Sequence, residues 1–275
     1  MNAIRTTLAI ACEGVGFTYP DGTVALREVD LRIESGTRVA IVGQNGSGKS
    51  TLVRQFNGLL RPTEGRVLIH GSVVGRRHVA ELAHEVGLAF QNPDRQIFSG
   101  KVRTEVAFGP ANLGIAGVAL GEAVDRALAS VGLTDVADVN PYDLGYSKRK
   151  LLTLASIIAM DTPIVVLDEP TTGQDARGVT RIQELVASLA SAGRTVIAIS
   201  HDMRFVAETF QRVIVMGAGR ILLDGPLAEV FAEPAWPLLA STYLEPPLAA
   251  RVGARLGLGS TPTNAALVEA LAGRA

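Results

Sequence analysis

The stretch GQNGSGKST combines three glycines, a lysine and three hydroxyl side chains in nine consecutive positions. It fits the pattern G-x-x-x-x-G-K-[ST], whose curled backbone points successive N–H groups at phosphate oxygens. A helix that begins in such a loop adds partial positive charge at its N-terminus. We therefore predict a phosphate-binding loop made of Gly43, Gln44, Asn45, Gly46, Ser47, Gly48, Lys49, Ser50 and Thr51.

Acidic residues further along the chain complete a site for hydrolysis. Lys49 is expected to reach the β- and γ-phosphates, and the Ser50 hydroxyl to ligate Mg²⁺. The segment IVVLDEP places Asp168 at the end of a buried strand, where open α/β sheets bind ligands. We expect Asp168 to hold Mg²⁺ through water and Glu169 to orient and polarise the attacking water.

Two other nucleotide-binding patterns fit less well. A Rossmann site needs G-x-G-x-x-G and a downstream acid for the ribose, which is not the arrangement of this loop. A guanine reader of the Asn-Lys-x-Asp type is excluded, because no lysine in the chain follows an asparagine.

The segments around these residues alternate between strand and helix patterns. Helices are expected over about 49–57, 175–192 and 203–209, and two or three short helical pieces after Pro226. Alternation of this kind indicates a parallel sheet. The predicted strands are LAIACEGVGFTY, VALREVDLRIE, TRVAIVG, GRVLIHG, VGLAF, TPIVVLDEP, TVIAIS, RVIVMG and GRILLDG.

Composition narrows the class of protein. The 275 residues are 47% hydrophobic and 19% charged, with a net charge of −1, which disfavours bulk electrostatic binding to nucleic acid. A single cysteine, Cys12, indicates a reducing compartment. The N-terminal stretch has no signal-peptide pattern and no apolar run approaches the ~20 residues of a membrane span. We expect a cytoplasmic chain that reaches a membrane only through a partner.

We predict three structural parts. The ATP-binding core is expected over 1–94 and 161–225, and a helical subdomain, rich in alanine and leucine, over 95–160. A small appendage is expected over 226–275, where the periodic pattern weakens.

Further motifs follow in a specific order, namely FTYPDG, AFQNPDRQIF, DLGYSKRK, TTGQD and ISHD. With the glycine loop and LDEP, they resemble the nucleotide-binding subunit of ATP-binding-cassette (ABC) proteins over about residues 8–230. The resemblance implies an α/β, P-loop NTPase fold with a RecA-like core sheet, N-terminal antiparallel strands, an inserted helical subdomain and a small C-terminal appendage. It implies ATP and Mg²⁺ as cofactors.

The resemblance also implies roles for single positions. Tyr19 stands where the family has the aromatic ring that stacks on adenine, and His201 where it has the histidine that contacts the γ-phosphate. Gln91 stands where a glutamine touches Mg²⁺ or the attacking water and links the site to a membrane partner. Asp175 ends a loop that crosses a dimer interface. The implied catalytic residues are Glu169, His201, Gln91 and Lys49, and the implied metal ligands are Ser50, Gln91 and Asp168.

The family signature, usually Leu-Ser-Gly-Gly-Gln, is altered here. In the family it contacts the γ-phosphate of ATP bound to the other subunit of a head-to-tail dimer. Tyr146 is bulky where glycine is usual, Ser147 could still offer a hydroxyl, and Lys148 adds positive charge. We expect pairing with a second, non-identical ATPase subunit, or reduced turnover at the site that this signature completes. The segment reads Leu144, Gly145, Tyr146, Ser147 and Lys148.

One subgroup of the family is a closer match. FQNPDRQIFSGKVRTEVAFGPANLG and the C-terminal segment with its Pro-Pro resemble the ATPases of energy-coupling-factor (ECF) transporters for cobalt, nickel and vitamins. The resemblance implies three partners at the cytoplasmic face of a membrane: a second ATPase subunit, a transmembrane coupling protein and a membrane-embedded substrate-binding subunit. No nucleic acid partner is expected.

Two other functions stay open from the residues alone. A soluble ABC ATPase acting on nucleic acid or ribosomes is disfavoured, because the chain has one cassette, no heptad run and no basic stripe. A weakly active regulatory cassette would suit the altered signature. Against it, Lys49, Asp168, Glu169 and His201 are all present, which argues for a competent half-site.

Overall fold

The computed structural model describes residues 7–274. The N-terminal residues 1–6, part of the stretch without a signal-peptide pattern, lie outside the described residues. The strands are β1 (Leu8–Thr18), β2 (Val24–Glu34), β3 (Arg38–Val42), β4 (Glu64–Ile69), β5 (Ser72–Val73), β6 (Val86–Ala89), β7 (Ile164–Asp168), β8 (Thr195–Ile199), β9 (Arg212–Gly217) and β10 (Arg220–Pro226). The helices are α1 (Lys49–Phe56), α2 (Val79–Leu82), α3 (Val102–Asn112), α4 (Gly117–Val131), α5 (Tyr146–Ile158), α6 (Ala176–Ser191), α7 (Met203–Thr209), α8 (Leu227–Val230), α9 (Trp236–Ser241), α10 (Leu248–Arg255) and α11 (Asn264–Ala272).

Two sheets form the core of the fold. The larger has the strand order β10-β9-β3-β8-β7-β6, and its strands from β9 to β6 run parallel. The hairpin strand β10 is antiparallel to β9 at the edge. The smaller sheet, β2-β1-β4-β5, is antiparallel throughout. The predicted α/β class, with a parallel sheet and N-terminal antiparallel strands, is confirmed.

Burial explains the difference between the two sheets. Every residue of β7 and β8 is buried, as expected for central parallel strands covered on both faces. In β2 exposed and buried residues alternate over much of the strand, because only one face of that sheet packs on the interior. Cys12 lies on the covered side of β1 and is 2% exposed.

The segment between β6 and β7 is helical, as predicted. Helices α3, α4 and α5 pack on one another through buried side chains such as Val106, Leu128 and Leu152. These side chains belong to the same hydrophobic cluster as β7 and β8, so the helices are continuous with the core. The exact bounds of the predicted subdomain, 95–160, stay a prediction.

The C-terminal part contains more helices than predicted. Four short helices, α8 to α11, follow β10 instead of two or three. Phe231 and Leu239 are 1% and 0% exposed within the main hydrophobic cluster, so this part packs against the core. The Trp236 indole N–H donates to the Phe231 carbonyl at 2.9 Å. Proline and glycine divide the region into pieces too short for their periodicity to be counted reliably.

Within residues 7–274 the longest apolar helices fall short of what a bilayer crossing requires.

Candidate nucleotide-binding site

Most of the residues predicted to bind the chain's own nucleotide meet at one edge of the parallel sheet. Strands β3, β7 and β8 end at Val42, Asp168 and Ile199, and adjacent parallel strands present these carboxyl ends side by side. A cleft of about 520 Å³ opens there. Its lining includes Tyr19, Asn45, Gly46, Ser47, Gly48, Lys49, Ser50, Thr51, Gln91, Asp168 and Glu169.

The glycine loop needs its glycines for two reasons. Gly43 and Gly48 have φ angles of +151° and +99°, in the region that side chains with a Cβ disfavour. A Cβ on Gly43 would also collide with the Met216 carbonyl, and one on Gly48 would lie 2.6 Å from the Ala25 carbonyl. With Gly48 as its N-cap, α1 starts at Lys49 and directs its first N–H groups into the loop.

Lys49 bonds to the loop itself. Its Nζ donates to the carbonyls of Gly43 at 2.7 Å and Gln44 at 2.8 Å. Burial lowers the pKa of the Lys49 ammonium, and the carboxylates of Glu169 and Asp168 oppose that shift. The ammonium group therefore lies inside the cleft, held by acceptors that a phosphate can replace.

Asp168 and Ser50 form the candidate metal position. Asp168 is 3% exposed, and burial raises the pKa of its carboxyl, partly offset by the Ser50 hydroxyl. Among the described residues, its Oδ1 atom is buried without a hydrogen-bond partner. A buried, unpartnered carboxylate oxygen beside a hydroxyl suits a small hard cation, which also takes ligands from phosphates and water. The residues therefore fit Mg²⁺.

Glu169 is held in a defined position by backbone and side-chain contacts. Its φ angle is +51°, and its N–H donates to the Ile199 carbonyl at 3.0 Å. Its Oε2 lies 2.8 Å from Nδ1 of His201. Burial raises the pKa of the Glu169 carboxyl, while the nearby His201 lowers it. A raised pKa favours a carboxylate as a proton acceptor, and strain in a non-glycine residue is common at functional sites.

Tyr19 lies at the rim of the cleft and contacts the phosphate loop. Its hydroxyl is 2.9 Å from Oγ1 of Thr51, and its ring meets Phe17 edge-on with centroids 4.9 Å apart. These contacts hold the ring beside the phosphate loop. The stacking role stays a prediction.

Lys150 is a residue whose role the sequence did not indicate. It is 0% exposed, and its Nζ donates at 2.8 Å to the carbonyls of Phe90, Gln91 and Asp168. It thereby ties α5 to the Gln91 segment and to the end of β7. Burial lowers the pKa of Lys150 to about 8. The sequence holds one signal for this role. The chain has four lysines, and a lysine next to the apolar run of a helix needs acceptors for its ammonium group inside the protein.

The altered signature and Asp175 lie apart from this cleft. Leu144 is buried, Gly145 is the N-cap of α5, and Tyr146 and Lys148 are exposed. Asp175 caps α6 by accepting from the Gly178 N–H at 2.7 Å. None of these residues is among those lining the cleft in the described part of the chain, and their action on a partner's nucleotide stays a prediction.

Known proteins resemble the chain in sequence and structure. The family model described as ABC transporter matches residues 26–172. The energy-coupling factor transporter ATP-binding protein EcfA1 of Methanospirillum hungatei is 41% identical over 84% of this chain and 83% of that protein. The chain spans 39% of the length of a putative ABC transporter ATP-binding protein of Methanosarcina acetivorans, to which it is 40% identical over 88% of this chain.

Two solved structures of ABC proteins also resemble the chain. The cbiO1 protein of Clostridium perfringens, described as part of the ABC transporter complex cbiONQ, is 33% identical with a TM-score of 0.75, over 91% of this chain and 99% of that one. The dimeric cassette MJ0796, bound to ADP and Pi, is 25% identical with a TM-score of 0.74, over 79% and 98%. With the loop, the acidic pair and the sheet topology, these matches show that the chain belongs to the ATP-binding subunits of the ABC transporter family.

Proposed function

We propose that this chain is the ATP-hydrolysing subunit of an ECF-type transporter that takes up a small molecule, either a vitamin or a transition-metal ion. The observation that carries the proposal is the meeting of Lys49, Asp168 and Glu169 in one cleft at the carboxyl edge of the sheet. The similarity to an energy-coupling factor ATP-binding protein supports the transport role.

Each group of residues in the cleft has a separate role in ATP binding or hydrolysis. The loop N–H groups and Lys49 hold the β- and γ-phosphates, and Tyr19 stacks on adenine. Glu169 orients a water and accepts its proton as the oxygen bonds to the γ-phosphorus and the bond to ADP breaks. His201 positions Glu169 through Nδ1, which leaves Nε2 to face the γ-phosphate.

The metal position is built from three residues. Ser50 and Asp168 would hold Mg²⁺ directly or through water, and Gln91, which also lines the cleft, would approach it once nucleotide is bound. Bound Mg²⁺ neutralises charge on the phosphate oxygens. Lys150 donates to the backbone carbonyls of both Gln91 and Asp168, and so holds these two candidate ligand residues at a constant separation.

A groove next to Gln91 suits the membrane partner. It measures about 630 Å³ and combines apolar and basic side chains. The exposed side chains of Phe98 and Phe108, in edge-to-face contact, come after the lining residues in the sequence and do not line the groove. We assign it to the transmembrane coupling protein, which in turn holds the substrate-binding subunit at the cytoplasmic face. The groove is lined by Arg54, Leu59, Leu60, Phe90, Gln91, Asn92 and Arg95.

A second ATPase subunit completes the assembly. The signature and Asp175 do not line the chain's own cleft, so we infer that they act on nucleotide held by another cassette. Because the signature is altered, we favour a non-identical partner. ATP binding closes such a pair and hydrolysis reopens it, which shifts the membrane partner between two arrangements.

A pull-down from detergent-solubilised native membranes tests the proposal. The tagged chain should retain a second cassette, a polytopic membrane protein and a small hydrophobic subunit, all identified by mass spectrometry. The complex should hydrolyse ATP, and Lys49→Met should abolish hydrolysis, whereas Lys101→Met, at a surface lysine paired with Asp138, should not. Recovery with ribosomes or nucleic acid and no membrane protein would overturn the transport role.

A further inference from the structure

Two of the altered side chains in the signature make contacts inside the chain. Tyr146 and Ser147 stand where the family pattern has glycines, and both contact the loop that ends at Asp175. The Ser147 hydroxyl donates to Oε1 of Gln174 at 2.9 Å, and Nε2 of Gln174 donates back to the Ser147 carbonyl at 3.1 Å. The two residues therefore form a reciprocal pair across 27 positions of sequence.

Two glycines make room for this contact. A Cβ on Gly173 would lie 2.6 Å from the Tyr146 ring, so the ring covers that residue directly. A Cβ on Gly178 would collide with the Gln174 amide, so that side chain lies between α6 and the signature. Gly173 also has a φ of +74°, which a side chain would disfavour. The sequence is thus fitted to the contact on both sides.

We propose that Tyr146, Ser147, Gly173 and Gln174 form a latch that fastens the signature to the Asp175 loop of the same chain, and that Gln174 is a positioning residue for the signature. This inference rests on the proposed function, since both segments face the partner cassette. Glu169 lies five residues before Gln174. The latch therefore connects the chain's own hydrolytic residue to the segment presented to the partner's ATP.

The latch determines which hydrogen-bond donors of the signature remain free to contact the partner's nucleotide. The Ser147 hydroxyl is already donated to Gln174, so it does not act as a free phosphate ligand. The N–H groups at the start of α5 and the exposed Lys148 remain for the partner's nucleotide. Holding these donors in a fixed arrangement before nucleotide arrives removes a cost of ordering them in the reaction.

Amide hydrogen exchange on the full chain tests the contact. Ser147→Ala, which removes only the hydroxyl bond, should speed exchange about fivefold in both the 144–151 and 171–176 segments. Gln174→Leu, which removes both bonds, should speed exchange more in the same two segments. The double variant should match Gln174→Leu, because that change already removes the bond that Ser147→Ala removes. Effects confined to the mutated segment, or additive effects, would overturn the latch. Matched controls are Ser191→Ala, whose hydroxyl bonds within its own helix, and Gln183→Leu on α6.

Kinetics of the purified complex test the positioning role. Gln174→Leu should lower kcat about fivefold with KM within twofold, because nucleotide binding at Lys49 is separate from the latch. An unchanged or raised kcat would contradict that role. If the wild-type chain binds no fluorescent ATP analogue, the proposed function fails, whereas the exchange result still decides whether the latch exists.

Discussion

The Oε2 atom of Glu169 lies 2.8 Å from Nδ1 of His201, although the two residues are 32 positions apart. Glu169 is almost fully buried, while the His201 side chain is 69% exposed. The histidine therefore reaches inward from the rim to orient a buried carboxylate. This contact holds the carboxylate that we propose as the proton acceptor.

Replacing either side chain of the Glu169–His201 pair should slow ATP hydrolysis without preventing ATP binding. Glu169→Gln should lower kcat by about 100-fold or more, and His201→Ala by a smaller factor, because the glutamate accepts the proton and the histidine positions it. ATP affinity, measured with a fluorescent analogue, should stay within about twofold of wild type. His84→Ala, at an exposed histidine away from the cleft, is the control. Full activity of His201→Ala would show that the contact has no role in turnover.

Tyr19 should contribute to binding of the base and not of the phosphates. Tyr19→Ala should weaken ADP binding about tenfold, the scale of one aromatic stacking contact, and leave pyrophosphate binding unchanged. Tyr19→Phe keeps the ring and loses only the bond to Thr51, so its ADP affinity should remain near wild type. Isothermal titration with both ligands measures the difference. Equal losses for ADP and pyrophosphate would place the effect on the loop instead.

Lys150 should stabilise the fold because its buried ammonium group donates to three backbone carbonyls from two different segments. Lys150→Met leaves those carbonyls without their donor and should lower the free energy of unfolding by about 2 kcal/mol. Urea denaturation followed by circular dichroism measures this change. Lys101→Met removes an exposed lysine and should have little effect. If the urea midpoint of Lys150→Met equals that of wild type, Lys150 does not stabilise the fold.

The raised pKa of the Cys12 thiol should make the free energy of unfolding fall at high pH. Burial, with a smaller effect from Asp30, raises the pKa of the Cys12 thiol from 9.0 to about 12. The folded state therefore keeps a proton that the unfolded state loses above pH 9, so this contribution is complete below pH 9 and declines as pH rises toward 12. Between pH 8 and 10.5 wild type should lose about 2 kcal/mol more unfolding free energy than Cys12→Ala. Parallel pH dependence in the two proteins would place the thiol pKa near its ordinary value.

The sequence determined those features that depend on neighbours along the chain. The glycine spacing between Gly43 and Gly48 determines the loop, and the apolar run before Asp168 determines a buried strand with acids at its end. These are local patterns, in which residue type and spacing suffice. The family match confirmed the predicted fold class and the ATPase function, whereas the roles of individual residues stay predictions.

Only the tertiary structure decided which distant groups meet. The parallel register of β7 and β8 pairs Asp168 with Ile199, and this places Glu169 beside His201. The packing of α5 under the sheet edge brings Lys150 to three carbonyls and Ser147 to Gln174. No local pattern encodes these contacts, because a buried cation or amide is specified by acceptors contributed from other elements, whose separation exists only after the chain has folded.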